Sequence, residues 1–296
     1  MKEGGMEERD FLLAIQLTTG LALARKAQII KGIEEKRAPT GYPWSEMTLA
    51  VIVGLDPTSQ IFARIAGAYR AALRRVEEQR GVFSYVTYFD DAYPEQLRQI
   101  FQPPLILFYR GDLRALRLPA LAVVGTRTAT PYGFSCLRRL LPGVIEHGVA
   151  IVSGLARGID VMAHQVTFSN RGVPVAVIGS GLNHAYPVRN RQLQEEVALQ
   201  GLLLSEYPDD VPSHRGHFPE RNRIIAGLAS ATMVVEAKHH SGSLITANSA
   251  LQNNRNVLAV PGSIFSDESS GCHELIQAGA TVVQSSSDIL ANLSGF

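Results

Sequence analysis

The chain has 296 residues, of which 46% are hydrophobic, and its formal net charge is +1. This length is enough for about two domains, and the apolar fraction is that of a globular protein with a buried core. From residue 120 to the end there are 12 Lys and Arg against 13 Asp and Glu. The composition therefore excludes a protein that binds polyanions through bulk positive charge, so a nucleic-acid site must be a local patch.

Cysteine content and hydropathy indicate the compartment. The two cysteines, Cys136 and Cys272, stand far apart and form no metal-type cluster, which is typical of a reducing environment. No apolar run is long enough for a membrane helix, and residues 1–10 are charged rather than signal-like. We expect a cytoplasmic protein with neither a metal site nor a membrane partner.

The first 119 residues predict a helical domain and a connector. Residues 1–80 carry apolar side chains at helical spacing, punctuated by glycine and proline, and predict a small all-helical domain. A basic cluster there is either a solvated helix face or a nucleic-acid contact; it consists of Arg70, Arg74, Arg75 and Arg80. Residues 81–119 contain β-forming runs and predict a connector that adds edge strands to the following sheet.

Residues 120–296 predict an α/β domain, because short apolar runs alternate with segments long enough for helices. Continuous apolar runs are typical of buried parallel strands. The predicted strands are 121–124, 149–152, 175–178, 202–204, 233–235, 257–260 and 281–283. The fold class is an extended Rossmann-like, doubly wound, mostly parallel sheet preceded by the helical domain.

Polar and glycine-rich residues follow most of these strands, where ligands bind in open α/β sheets. Glycine lets the backbone approach a ligand, and the free N–H groups of a helix start bind phosphate. The chain contains neither Gly-x-Gly-x-x-Gly nor a P-loop, so a dinucleotide cofactor and an ATPase are not supported. Residues 218–227 combine an aromatic side chain and two arginines at a predicted helix start, which favours an anion.

Several motifs stand in a characteristic order along the chain. They are Gly125-Thr126-Arg127, Ser153 to Asp160, Phe218 to Gly227, Ser241 to Ala247, Ala259 to Gly262 and Leu275 to Ala280. Over residues 83–290 the chain thereby resembles one family, the bacterial DNA-processing protein A (DprA or Smf) proteins. The N-terminal bundle loosely resembles the family's sterile-alpha-motif-like (SAM-like) or helix-hairpin-helix-like domain. The family's C-terminal winged-helix domain is expected to be absent, since the sequence ends at Phe296, soon after the last α/β elements.

The resemblance implies a single-stranded DNA-binding protein of natural transformation (competence) and DNA recombination rather than an enzyme. Such proteins protect incoming single strands and help load the RecA recombinase onto them against single-strand-binding protein, which is thus an indirect partner. They act as homodimers through the Rossmann domain. On this basis no catalytic residue and no cofactor is expected.

The expected DNA-binding residues divide by chemistry. Arg127 and Arg221 would contact phosphates, and Asn222 would position a loop or read a base edge. Phe218 would stack on a base, or alternatively pack against its own helix start. Arg223 would serve either DNA or neighbouring loops, because it lies some 200° from Arg221 on a helix. Backbone N–H groups would cradle further phosphates; they belong to Ser153, Gly154, Ser241, Gly242 and Ser243, with Ser241 alternatively a helix N-cap.

Other polar residues near these strand ends could have either a catalytic or a structural role. By residue type, a catalytic set could consist of Arg157, Asp160 and His164. The four-residue spacing of Asp160 and His164 instead favours a local structural hydrogen bond between them. Glu236 is expected to orient Arg127 or Arg223 rather than to act as a base. Whether these four residues are purely structural is not determined by the sequence.

Two other functions could use the same predicted site. A nucleotide N-glycoside hydrolase would use a Pro-Gly-Gly-x-Gly-Thr-x-x-Glu loop, whereas the corresponding segment 241–246 has no following Glu. A Rossmann-like small-nucleotide-binding protein would use the pocket without turnover. A DNA groove binds oligonucleotides far better than mononucleotides, so length dependence separates these functions.

Overall fold

The computed structural model describes residues 6–79 and 81–293, so Arg80 of the basic cluster lies outside the described residues. The chain divides into two compact units. The first comprises Met1–Tyr93 and Phe101–Phe108, and the second comprises Pro94–Ile100 and Tyr109–Phe296. The domain boundaries expected from the sequence stay predictions.

The first unit contains a group of short helices with its own core. They are α1 (Glu8–Leu17), α2 (Leu23–Glu34), α3 (Glu46–Ile52) and α4 (Gln60–Glu78). Ser45 and Ser59 cap α3 and α4 by accepting hydrogen bonds from backbone N–H groups three residues on. The buried side chains of α4 recur at helical spacing, so one stripe of this helix faces the core. The strand β1 (Tyr85–Thr87) pairs antiparallel with the start of β2 (Ile106–Gly111).

The second unit is a parallel α/β sheet, which confirms the predicted fold class. Its strands are β3 (Ala120–Val124), β4 (Ala150–Ser153), β5 (Pro174–Ile178), β6 (Leu202–Ser205), β7 (Ala231–Val234), β8 (Asn256–Ala259) and β9 (Thr281–Val282). They lie in the order β6-β5-β4-β3-β7-β8-β9, and the neighbouring strands in this order run parallel. Every residue of β3 to β7 is buried, as continuous apolar runs predict.

Helices follow most of these strands and cover the sheet. They are α6 (Pro131–Glu146), α7 (Ile159–Ser169), α8 (Arg191–Gln200), α9 (His217–Leu228), α10 (Gly242–Gln252), α11 (Ser270–Gln277) and α12 (Ser286–Leu290), while the short α5 (Glu95–Arg98) precedes β2. Among the helices of the described ranges, none combines the length and the apolar character that crossing a bilayer requires.

The strand order reverses beside β3, and this reversal positions the site. The chain runs outward from β3 through β4 and β5 to β6, and then returns to place β7 against the other side of β3. The loops after β3 and β7 therefore diverge at the carboxyl end of the sheet. An open α/β sheet binds its ligands in the crevice at such a switch point.

Candidate nucleic-acid interface

A cavity of about 460 Å³ opens at this switch point. Its walls come from the loop after β3, the start of α7, the first turns of α9 and the segment that leads into α10. The predicted site residues that line it are Arg127, Phe218, Arg221, Asn222, Ser241, Gly242 and Ser243. Its charged Lys, Arg, Asp and Glu residues are Arg127, Arg221 and Lys238 against Asp160. A protein that is almost neutral overall therefore concentrates positive charge here.

Arg127 stands exposed at the cavity beside Phe218. The Cζ atom of Arg127 lies 5.7 Å from the centroid of the Phe218 ring, within the range of a cation–π contact. The loop that carries Arg127 is held in place, because the backbone N–H of Thr126 donates to the Glu236 carbonyl over 2.7 Å. Gly125 permits this arrangement, since a Cβ there would lie 2.5 Å from Cγ1 of Ile159. The loop backbone is therefore held in place while the Arg127 guanidinium is exposed.

Arg221 forms the floor of the cavity. Its side chain is buried, and Nη1 donates to the Val177 carbonyl over 3.0 Å. Gly154 makes room for the guanidinium, because a Cβ on Gly154 would lie only 1.3 Å from Nη1. Burial lowers the pKa of Arg221, while the nearby charge of Asp160 acts in the opposite direction. Gly154 thus contributes space for Arg221, a role that the predicted phosphate cradle did not include.

Asp160 links the loop after β4 to the first turn of α7. Its Oδ2 accepts from the backbone N–H groups of Gly154 (3.1 Å) and Ala156 (3.3 Å). Burial raises the pKa of Asp160, and the Arg221 charge is the strongest opposing influence. The hydrogen bonds of this oxygen therefore go to the loop before α7.

The predicted hydrogen bond between Asp160 and His164 is therefore wrong. Within the described part of the chain, neither ring nitrogen of His164 has a hydrogen-bond partner. Burial, assisted by the charge of Arg221, lowers the pKa of His164 to about 3. His164 is a neutral, fully buried imidazole under the site, and it does not form a charge pair with Asp160.

Glu236 also has different partners from those expected. Its carboxylate accepts from the Thr130 backbone N–H (2.9 Å) and the Thr130 hydroxyl (2.5 Å), and it is buried. It therefore stabilises the start of α6, and the expectation that it orients Arg127 or Arg223 is wrong. The sequence places Glu236 at the right strand end, but Thr130 comes from the loop after the neighbouring strand.

Arg223 lies apart from the cavity lining. Its Nη2 donates to both carboxylate oxygens of Glu206, over 2.7 and 2.6 Å, and both side chains are largely buried. This is the loop-holding alternative that the helical spacing left open for Arg223. A contact between Arg223 and DNA stays a prediction.

The serines of the site differ in accessibility. Ser153 is fully buried and donates its hydroxyl to the Val123 carbonyl over 2.7 Å, so its side chain supports β3. Ser241 occupies the N-cap position of α10 but, over the described residues, makes no side-chain cap hydrogen bond. Its Oγ lies 2.8 Å from Oγ of Ser243, and Nδ2 of Asn222 donates to the Gly242 carbonyl over 3.4 Å. The first turn of α10 therefore faces the cavity without a capping Ser241 hydroxyl.

Two charged residues of the site were missed in the sequence. Lys238 lines the cavity, and its Nζ lies 3.3 Å from Oε1 of Glu268. The same Glu268 oxygen accepts from the Thr128 hydroxyl over 2.9 Å. Burial acts to raise the pKa of Glu268, but hydrogen bonds from Thr126, Thr128 and Lys238 hold it below its ordinary value. Lys238 could have been predicted from its position shortly after β7. No feature of the sequence indicated that Glu268 contacts the site.

No group of three or more His, Cys, Asp or Glu residues suited to a metal ion occurs within residues 6–79 and 81–293. What the cavity offers is a set of donors for an anion: two guanidinium groups, an ammonium group and a helix N-terminus.

The comparisons with known proteins agree with this architecture. The family model for DNA recombination-mediator protein A matches residues 84–294. The DNA processing protein DprA of Streptococcus pneumoniae is 46% identical over 209 residues, which cover 71% of this chain and 74% of that protein. Protein Smf of Synechocystis is 43% identical over 221 residues; they cover 73% of this chain but only 56% of that longer protein.

Two solved structures are also similar. The X-ray structure of DprA from Streptococcus pneumoniae has a TM-score of 0.89 and 36% identity, and covers 98% of this chain and 100% of its own. DNA processing protein A from Helicobacter pylori, studied for its single-stranded DNA binding mode, has a TM-score of 0.64 and 29% identity, and covers 71% and 95%. Because the family match spans well over half of the sequence, this chain belongs to the DNA recombination-mediator protein A family of DNA-processing proteins.

Proposed function

We propose that this protein binds single-stranded DNA through the cavity at the switch point. The observation that carries the proposal is the exposed Arg127 guanidinium beside the Phe218 ring, above a floor formed by Arg221. Single-strand binders combine a cationic groove for the backbone with aromatic faces for the bases. The single-stranded DNA binding mode studied for the Helicobacter pylori protein supports the same ligand class here.

Each residue then has a defined role. Arg127 contacts a phosphate directly, because its guanidinium is exposed and its backbone is held. Arg221 contributes positive potential from below, since its Nη1 is already engaged by Val177. The N–H groups at Gly242 and Ser243 receive a second phosphate at the start of α10. Phe218 stacks against a base, which is worth about 1–3 kcal/mol per base.

Fluorescence anisotropy with a labelled oligonucleotide, over a series of salt concentrations, tests this assignment. We expect Arg127→Ala to weaken binding by about tenfold, the loss of one charge-assisted hydrogen bond. The slope of log K against log salt should flatten by about 0.7, the value for one phosphate contact on a single strand.

Arg138→Ala is a matched control. Arg138 is also an exposed arginine of the second unit, and its Cζ lies 5.8 Å from the Phe134 ring on α6. The Arg138→Ala variant should bind DNA as the parent protein does, because Arg138 is not part of the cavity lining. Equal binding by Arg127→Ala and the parent would overturn the site assignment.

We infer that the bound strand is an intermediate of natural transformation or recombination. The protein protects the strand and helps load RecA onto it when single-strand-binding protein competes. Membership of the DNA recombination-mediator protein A family supports this role. The test is the DNA-dependent ATPase of RecA on a strand already coated with single-strand-binding protein. Added protein should shorten the lag, and an unchanged lag would contradict RecA loading.

We also infer a cytoplasmic homodimer. Both cysteines are free thiols, which supports a reducing compartment, and the family resemblance supports dimerisation through the second unit. Sedimentation velocity should give twice the monomer mass of 32.2 kDa. A monomer at micromolar concentration would contradict the dimer, and recovery in the membrane or periplasmic fraction would contradict the location.

Binding without turnover distinguishes this proposal from a hydrolase. Incubation with single-stranded DNA or mononucleotides should release no free base, whereas a nucleotide N-glycoside hydrolase releases base in proportion to time. A small-nucleotide-binding protein would bind a mononucleotide as tightly as an oligonucleotide. Competition of a mononucleotide against the labelled oligonucleotide measures this difference.

A further inference from the structure

We propose that Tyr186 is a second base-stacking platform, so that the single strand continues from the cavity across the loop between β5 and α8. The proposal rests on the proposed function and extends it, since it adds a subsite outside the cavity. The Tyr186 ring is 53% exposed, and its centroid lies 5.3 Å from that of Phe218 at an interplanar angle of 41°. Arg127 therefore touches Phe218, and Phe218 touches Tyr186, in one continuous row.

The loop that carries Tyr186 is held on both sides of the exposed ring. The side-chain amide of Gln194 donates to the carbonyls of Leu182 (3.2 Å) and His184 (3.1 Å). Beyond the ring, the side-chain amide of Asn190 donates to the Leu155 carbonyl over 2.7 Å. Leu155 directly precedes Ala156, which lines the cavity, so the loop is attached to the cavity wall. An exposed aromatic ring on a restrained loop loses little conformational entropy on binding.

The chemistry of the loop indicates a nucleic-acid strand rather than a protein partner. Two exposed residues follow in the same loop: Val188, which is 70% exposed, and Arg189, three residues after Tyr186. The row of Arg127, Phe218 and Tyr186 thus begins at one arginine, and the loop that ends the row carries a second exposed arginine. Alternating access to cationic groups and aromatic faces suits a chain of phosphates and bases. Because the loop adjoins the cationic cavity, a strand that enters the cavity meets the Tyr186 ring next.

Oligothymidylates of increasing length test the second platform. Tyr186→Leu removes the aromatic face but keeps an apolar side chain, and we expect it to bind long oligonucleotides about 5- to 150-fold more weakly. The defect should shrink as the oligonucleotide is shortened, because a short strand fills the cavity alone. Tyr186→Phe, which keeps the ring, should restore most of the affinity.

The same substitution at another exposed tyrosine is the control. Tyr132 on α6 is 47% exposed, so Tyr132→Leu should bind every length as the parent protein does. Thermal unfolding of each variant verifies that the fold is intact.

Separate outcomes overturn the two proposals. If Tyr186→Leu binds all lengths normally while Arg127→Ala is weakened, the second platform is wrong and the cavity assignment stands. If Tyr186→Phe is as weak as Tyr186→Leu, stacking is not the interaction. If Tyr186→Leu binds DNA normally but no longer assists RecA, the ring contacts a protein and the proposal is wrong. Normal binding by both Tyr186→Leu and Arg127→Ala would overturn the cavity assignment together with the second platform, whereas failure of the parent protein to bind any oligonucleotide would overturn the proposed function itself.

Discussion

Three arginines near the switch point have three different environments, although the sequence makes each of them a candidate DNA contact. Arg127 is exposed at the cavity, Arg221 is buried under it, and Arg223 is paired with Glu206 outside its lining. A buried guanidinium needs compensation, which Arg221 obtains from the Val177 carbonyl and the nearby Asp160 charge. At the residue scale, burial therefore separates a direct ligand from a side chain that shapes the potential of the site.

Gly154→Ala tests the packing of Arg221. The added methyl group would lie 1.3 Å from Nη1 of Arg221, so the guanidinium must leave its position. Overpacking of this kind costs about 1–3 kcal/mol, and urea unfolding should show this loss of stability. Gly242→Ala is the control, because nothing lies within 4 Å of a Cβ at that position.

A double mutant identifies the cause of this effect. If the methyl group acts through Arg221, Gly154→Ala should cost clearly less in an Arg221→Ala background. Additive free energies would show that the Gly154 substitution disturbs the loop backbone instead.

At the scale of elements, α7 joins two buried titratable groups whose pKa values shift in opposite directions. Burial raises the pKa of Asp160 and lowers that of His164, because it disfavours the charged form of each. The cost of burying the Asp160 carboxylate is offset by hydrogen bonds that it accepts from two backbone N–H groups of the loop after β4. The start of α7 is thus tied to the loop that accommodates Arg221, while one turn later the helix carries a neutral imidazole.

His164 makes stability depend on pH. Its folded-state pKa of about 3 lies below the ordinary 6.5, so the unfolded chain binds the proton more readily. Stability is therefore fully present above pH 6.5 and is lost as the pH falls from 6.5 towards 3. Between pH 7 and pH 5 this group should lower the unfolding free energy by about 2 kcal/mol.

His164→Leu isolates this effect in urea unfolding at the two pH values. The variant should lose about 2 kcal/mol less than the parent between pH 7 and pH 5. The raised pKa of Asp160 acts with the opposite sign, since its folded state holds a proton more tightly. This opposing effect is present in both proteins and largely cancels in the difference. An identical loss in the parent and the variant would contradict a neutral buried His164.

At the scale of the whole molecule, a nearly neutral protein presents a local positive site. The net charge is +1, yet the cavity lining carries three Lys and Arg side chains against one carboxylate. Glu268 restrains the field further, because it pairs with Lys238 at the rim. A local field on a neutral background favours a strand in the cavity over adsorption elsewhere on the surface.

The arrangement of the second unit was largely predictable. Each of its seven predicted parallel strands lies within two residues of an observed one, because a continuous apolar run of three or four residues indicates a buried strand. The carboxyl ends of parallel strands share one edge of the sheet, so most of the predicted site residues meet at one cavity. Ser153, Gly154 and Arg223 stand outside its lining, since a position in the sequence does not determine which way a residue faces.

The sequence alone determined the parallel α/β unit, the edge that carries the site and the family, because these follow from local periodicity and from motifs in a fixed order. Only the tertiary structure decided the partners of the polar side chains. Asp160 binds loop N–H groups rather than His164, Glu236 binds Thr130, and Tyr186 lies against Phe218. The pairings of Glu236 and Tyr186 join segments that are distant along the chain, and that of Asp160 depends on the path of the loop before α7. Periodicity reports only the face on which a residue lies. Burial then determines which of these charges remain available to a ligand.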